Sequence, residues 1–272
     1  MKGFISHARS TSSLAELWQS RHLISQLVLR DFSVRYRQTW LGWLWALLNP
    51  LLQLGMYYGV FGIIVRFNPP EYNVPYAWVL LSGLALWMLF ANTANAVGEV
   101  LLNNLELVKK IYFPRIGLTL AGMGISVIDF LLLLFWVCVL LPLCGVRFPV
   151  VHLPLLLLCG VMVALLGWGL GCLMALAQLR FRDFRHIIPL MIQGLFYLTP
   201  VVWTPGLLPK NLYHLMALNP LYGLVGLFRF ALLGGQPPSA FSISISVGLT
   251  LFVAVVGYGC FIRYESQVMD RE

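Results

Sequence analysis

Apolar residues run in long blocks along this chain, and polar residues collect in the short stretches between them. A membrane-spanning helix needs about 20 mainly apolar residues. Six blocks approach or exceed that length, roughly 41–65, 76–97, 118–141, 153–178, 187–203 and 242–262. Three stretches break the pattern. Before the first block, residues 14–39 place Leu17, Ile24, Leu27, Val28 and Phe32 at helical spacing, with Arg30 and Arg37 on another face. Such a helix is too charged to span and is suited to the headgroup layer. Residues 98–117 form the longest connection on the basic side. There Val100, Leu101, Leu105, Leu107 and Val108 predict a short amphipathic helix, stopped ahead of Pro114 because the residue preceding a proline disfavours helix. Residues 200–239 carry Pro200, Pro205, Pro209, Asn219-Pro220, Gly234-Gly235 and Pro237-Pro238. These punctuate two apolar pieces, near 206–217 and 220–233, each too short to cross a bilayer. A pair of half-helices that enters and leaves on one face fits them. Irregular backbone at that depth is tolerated only where it is buried in protein or lines a water-filled cavity, so this segment points to a passage.

Composition turns the pattern into a class. Of 272 residues, 60% are hydrophobic and 10% charged, against roughly a quarter charged in a soluble domain. This predicts an all-α polytopic membrane protein. Basic residues collect on cytoplasmic loops. Fourteen of the eighteen Lys and Arg fall in the N-terminal segment, in loops 98–117 and 179–186, and after 262. Both termini are therefore expected in the cytoplasm. Only Arg66, Arg147, Lys210 and Arg229 fall on the other side. Topology accounts for the net charge of +8, so no nucleic-acid partner is expected. Trp40, Trp43 and Trp45 mark the interfacial depth where indole rings are comfortable. The first 22 residues include Lys2, Arg9, Glu16 and Arg21 and lack the apolar run of a cleaved signal peptide.

The chain shows no G-x-x-x-x-G-K-[ST], no H-E-x-x-H and no paired carboxylates. Without a phosphate-cradling loop it is not expected to bind ATP by itself. Five cysteines, Cys138, Cys144, Cys159, Cys172 and Cys260, lie in apolar segments without C-x-x-C spacing. They predict buried, inert thiols and no zinc site. Asp129 is the acidic residue well inside a block. An intramembrane carboxylate marks function by default, but a single one favours helix pairing over proton transport. Gly55/Gly59 and Gly167/Gly171 each form a G-x-x-x-G, which permits close helix contact.

The segments "LVLRDFSVRYRQTWLGWLWALLNPLL", "LVKKIYFPRIGL", "RFRDFRHIIPLMIQGLFYLTPVVW" and "LNPLYGLVGLFRFALLG" occur in this order over about residues 25–262. Together they resemble the ABC-2 type permeases that export polysaccharides, above all the O-antigen (lipopolysaccharide) permeases. Teichoic-acid and capsule exporters are related. The resemblance implies two permease chains with two separate ATPase subunits that hold ATP and magnesium, in a bacterial inner membrane. The cargo it implies is a glycan on undecaprenyl diphosphate. It also implies an N-terminal interface-helix segment over 1–40, a six-helix membrane domain over 41–262 and a short cytoplasmic tail over 263–272. Within the membrane domain, 99–113 becomes a coupling helix for the ATPase and 206–233 a periplasmic gate.

Candidate site residues follow. Arg30, Arg35 and Arg37, expected at headgroup level, are suited to hold a diphosphate by charge-assisted hydrogen bonds. Glu106, Lys109 and Lys110 are the polar contacts expected toward the ATPase. Tyr57, Tyr58, Trp87, Trp203 and Tyr222 are candidates to stack on sugars in a channel. No catalytic or metal-binding residue is expected. Two other readings remain open: an ABC-2 permease for a small lipid or drug, and a membrane enzyme acting on lipid-linked sugars.

Overall fold

The computed structural model describes residues 18, 20–37, 39–104, 115–146, 149–207, 209 and 212–269, and these form helices joined by turns. Helix α1, Arg21–Tyr36, precedes the membrane blocks. Helix α2, Trp45–Tyr57, follows a 3-10 turn at Gly42–Leu44 and continues as a π-helical stretch, Tyr58–Ile64. Then come α3, Tyr76–Asn103, α4, Arg115–Leu143, and α5, Leu153–Arg180. The remaining elements are α6, Phe184–Leu198; the single turn α7, Tyr213–Met216; α8, Pro220–Leu233; and α9, Ala240–Met269. Helix α9 thus carries the expected tail onward as helix to Met269.

Among the described residues five helical stretches are long and apolar enough to cross a membrane: Gly42–Ile64, Tyr76–Asn103, Arg115–Leu143, Val150–Arg180 and Ala240–Tyr264. These match five of the expected blocks. The block at 187–203 differs. It resolves as α6, whose 15 residues extend about 22 Å at about 1.5 Å per residue, less than the hydrocarbon thickness of about 30 Å. Sequence chemistry explains the stop. Thr199 precedes Pro200, which disfavours the helical region, and it is extended, with φ −93° and ψ 140°. The chain then continues as non-helical backbone through the buried Thr199, Val201, Val202 and Thr204.

Helix α3 is the hub. It packs against α5, α4, α8 and α2, and buries Leu80, Leu84, Leu86, Phe90, Val97 and Leu101. Lipid tails are as apolar as leucine, so close van der Waals packing has to hold such helices together. Glycines on α5 supply it on two sides. A Cβ on Gly167 would meet the Phe90 carbonyl of α3 at 2.8 Å, and one on Gly171 the Val97 side chain at 2.6 Å. On the other side a Cβ on Gly169 would meet the α9 backbone at Ala254, and one on Gly257 would meet the Gly169 carbonyl. The expected Gly167/Gly171 pair is therefore a helix contact. Gly55 and Gly59 have open space around them, and within the protomer that pair holds nothing. Helix α2 and the π-helical stretch after it are nearly bare along their length, with Leu52, Met56, Ile63 and Ile64 exposed.

Candidate functional site

Helix α1 carries the first group of site residues. Ile24, Leu27, Val28 and Phe32 are its half-buried apolar positions, while Leu23, Leu29 and Val34 are exposed. The expected apolar face is the one that packs. Val28 sits against Gly124 of α4, where an added Cβ would meet its side chain at 2.7 Å. The middle of α1 is tied by charge. The Arg30 guanidinium pairs with Asp31 at 2.7 Å and donates to Asn104 Oδ1 at 3.2 Å. Asn104 in turn donates to the Val100 carbonyl, where α3 ends.

At the C-terminal end of α1, Arg35 Nη1 lies 3.3 Å from Asp129 Oδ2, and Tyr36 Oη donates to Asp129 Oδ1 at 2.7 Å. Burial, reinforced by the bond to Asp129, pushes the Tyr36 phenol above its ordinary value, and Arg35 pulls the other way. The phenol is therefore a stable donor at neutral pH. Asp129 pairs helices, in the role expected for it. Arg35 is placed differently from expectation. Asp129 stands fourteen residues after Arg115, about 21 Å along α4, so its partner lies beside the body of that helix. Arg37 is exposed and its side chain has no partner among the described residues.

A cleft of about 130 Å³ opens beside this ion pair, between α2, α3 and α4. Arg35, Asn49, Gln53, Asn92, Ser126 and Asp129 give it a polar lining within otherwise apolar helices.

The expected coupling helix, 99–113, begins within the last turn of α3; Glu106, Lys109 and Lys110 lie outside the described residues. The expected gate is partly formed. Among its described residues, the first piece holds a 3-10 turn, Pro205–Leu207, and α7. Its second is α8, with Pro220 in its first turn and Asn219 as a cap whose side chain accepts from Leu221 N at 2.9 Å. Asn219 also donates to the Leu198 carbonyl and Thr199 Oγ1, so α8 starts beside the end of α6. Gly234 and Gly235, both at positive φ, end it.

The residue that organises this region is Arg229, fully buried on α8. Its Nη2 donates to the Val201 carbonyl at 2.7 Å and its Nη1 to the Trp203 carbonyl at 3.3 Å. Its Nε reaches the Val79 carbonyl at 3.2 Å and Ser82 Oγ at 3.4 Å. One guanidinium thus satisfies two carbonyls of the non-helical segment that follows α6, and ties that segment to α3. Charge counting alone placed Arg229 among the outer-side cations. The signal it carried was a lone arginine inside an apolar helix piece.

The aromatic candidates separate into two groups. Trp87 and Tyr222 are buried; Trp87 packs edge-on to Phe196 at 5.3 Å. In this conformation their rings are core, not channel wall. Tyr57 is half-buried against Phe196, and Tyr58 is exposed beside Tyr76. Trp203 is anchored by a bond from Nε1 to the Tyr197 carbonyl at 3.0 Å. Among the cysteines, Cys159 and Cys172 are buried as expected, whereas Cys144 is exposed.

Residues 22–233 match the family model of the ABC-2 type transporter. The chain is 27% identical to an O-antigen export system permease protein RfbA from Klebsiella pneumoniae, over 88% of this chain and 90% of the relative. A Myxococcus xanthus protein of that name is 28% identical over 77% of this chain and 80% of its own. The polysialic acid transport protein KpsM of Escherichia coli is 24% identical over 90% and 95%. A helical membrane bundle with a packed N-terminal helix, matched over most of its length, belongs to the ABC-2 type transporter family.

Proposed function

We propose that this chain is the membrane subunit of an ABC exporter that moves a lipid-diphosphate-linked polysaccharide of the O-antigen type from cytoplasm to periplasm. The match to an O-antigen export permease over about nine-tenths of both chains carries the reading. A capsule-type glycan is the second reading, favoured by the match to the polysialic acid transport protein over 95% of its length.

Charge supports the orientation. Arg30, Arg180, Arg182 and Arg185 gather at one end of the bundle, which is cytoplasmic by the positive-inside rule. The short helix α6 and the backbone after it complete a sixth crossing. Their irregular segment is buried in protein, as membrane depth requires. Two copies face one another, since one protomer is too small to surround a hydrated sugar chain. The bare flank of α2 is a surface open to the second copy.

Separate ATPase subunits hold ATP and magnesium and seat against 99–113, where Glu106, Lys109 and Lys110 make the polar contacts. The Arg30–Asn104 bond sits where that loop leaves α3. A push on the loop is therefore transmitted to α1 as well as to α3 and α4. Arg37, uncommitted within the protomer, makes the first contact with the lipid diphosphate. Arg30, paired with Asp31, lends remaining N–H donors. Arg35, already balanced by Asp129, contributes its remaining N–H donors. Tyr57, Tyr58 and Trp203 offer aromatic surface to a sliding glycan.

The test is export itself. In cells lacking the chain, carrier-linked glycan is expected to accumulate inside, and the wild-type gene to restore surface glycan. An Arg35→Ala/Arg37→Ala variant should still co-purify with the ATPase but fail to restore export. Normal surface glycan in the deletion strain would refute the reading.

A further inference from the structure

Apart from Arg35, the lining of the cleft between α2, α3 and α4 is not used by the capture of a diphosphate. Its residues fall at helical spacing on three facing surfaces: Ala46, Asn49, Pro50 and Gln53 from α2; Ala85, Met88, Leu89 and Asn92 from α3; Ser126, Asp129, Phe130 and Leu133 from α4. Such spacing puts each set on one side of its helix. The side chains of Asn49, Gln53, Asn92 and Ser126 have no hydrogen-bond partner among the described residues. A further acceptor comes from the backbone. Pro50, inside α2, has no N–H, so the Ala46 carbonyl lacks its usual helical donor. Unsatisfied polar groups among membrane helices are expensive, and these converge on one space.

The donor set indicates the occupant. The guanidinium of Arg35 is balanced by Asp129 at 3.3 Å, so the cleft adds no net positive charge for an anion. A carboxamide offers donors and acceptors together, as does a serine hydroxyl. Sugar hydroxyls have the same dual character, whereas phosphate oxygens only accept. Trp45 contributes an indole to the wall. Asn49, on the exposed side of α2, stands at the mouth.

We propose that this cleft is a binding subsite for one neutral, hydroxyl-rich pyranose ring, with Asn49, Gln53, Asn92 and Ser126 as its hydrogen-bonding contacts. The proposal rests on the export reading above and extends it: the subunit recognises the sugar next to the lipid diphosphate, not the charge alone. Asp129 is the positioning residue, since it holds Arg35 and Tyr36 at the cleft's edge and neutralises the former.

The permease–ATPase complex in lipid nanodiscs tests this with two probes, undecaprenyl diphosphate and the same lipid carrying one neutral pyranose. Two or three added hydrogen bonds should make the sugar-bearing lipid bind about tenfold tighter. Asn49→Leu and Asn92→Leu should each bring that ratio toward one. Asn49 is exposed, so its replacement leaves the helix contacts intact. Equal affinity of the wild-type complex for both probes would overturn the sugar subsite alone. Failure to bind either would overturn the export reading with it. If Asn49→Leu separates the two permease copies while the ratio persists, the amides are a subunit contact and the subsite is refuted.

Discussion

Replacing Arg229 with methionine keeps an unbranched apolar stem, shortens the side chain and removes every donor. Four acceptors would lose it: Val201 O, Trp203 O, Val79 O and Ser82 Oγ. The Val79 carbonyl retains the Ser82 hydroxyl at 2.7 Å, and Ser82 keeps that bond. The Val201 and Trp203 carbonyls have no other donor among the described residues. Leaving a buried acceptor unsatisfied costs about 1–3 kcal/mol, so two cost about 2–6 kcal/mol. Removing a buried cation returns part of that, because its desolvation is no longer borne. A net loss of about 3 kcal/mol is expected, from the low middle of that range. Arg229→Lys supplies an ammonium without the planar fork and should fall between wild type and Arg229→Met. Reversible unfolding of the purified permease in a denaturing-detergent titration reads the difference. Gly83→Ala gives a second route to the same contact, since its Cβ would stand 2.7 Å from both Arg229 Nη2 and the Val201 carbonyl. An Arg229→Met protein as stable as wild type would refute the view that this guanidinium holds the non-helical segment after α6.

Other expectations follow from particular contacts. Gly169→Ala must push α5 and α9 apart and should cost about 1–3 kcal/mol, while Gly248→Ala, with open space around it, should be silent; the same titration compares them. Asp129→Asn removes the ion pair but keeps an acceptor for Tyr36, and Asp129→Leu removes both. Amide exchange over 28–36 should therefore be faster in the leucine variant, and equal rates would refute the pairing of α1 to α4 through Asp129. Cys144 is exposed at the end of the bundle opposite Arg180. A membrane-impermeant thiol reagent should label it in cells with a permeable outer membrane and an intact inner one; labelling only after the inner membrane is broken would invert the topology.

Hydropathy and charge are local properties, so the helical class, five of the spans, the packing face of α1 and the irregular segment after Pro200 were all legible in the linear chain. The motif order was legible too, and with it the family. Whatever depends on a partner distant in sequence was not. Pro200 marks the stop at Thr199, but nothing in residues 187–203 announces that the carbonyls of the segment after it will be answered by an arginine 28 positions away from Val201. The two G-x-x-x-G patterns look alike as text, yet only the one on α5 meets neighbouring backbones. Tryptophan 87 and tyrosine 222 have the composition of channel wall and the burial of core. Arg35 and Asp129 are 94 residues apart in numbering and 3.3 Å apart in space. In a bilayer the hydrophobic effect places a helix across the membrane but does not choose its neighbours. That choice is made by close packing and by polar groups that must find one another, and only the folded molecule shows which ones do.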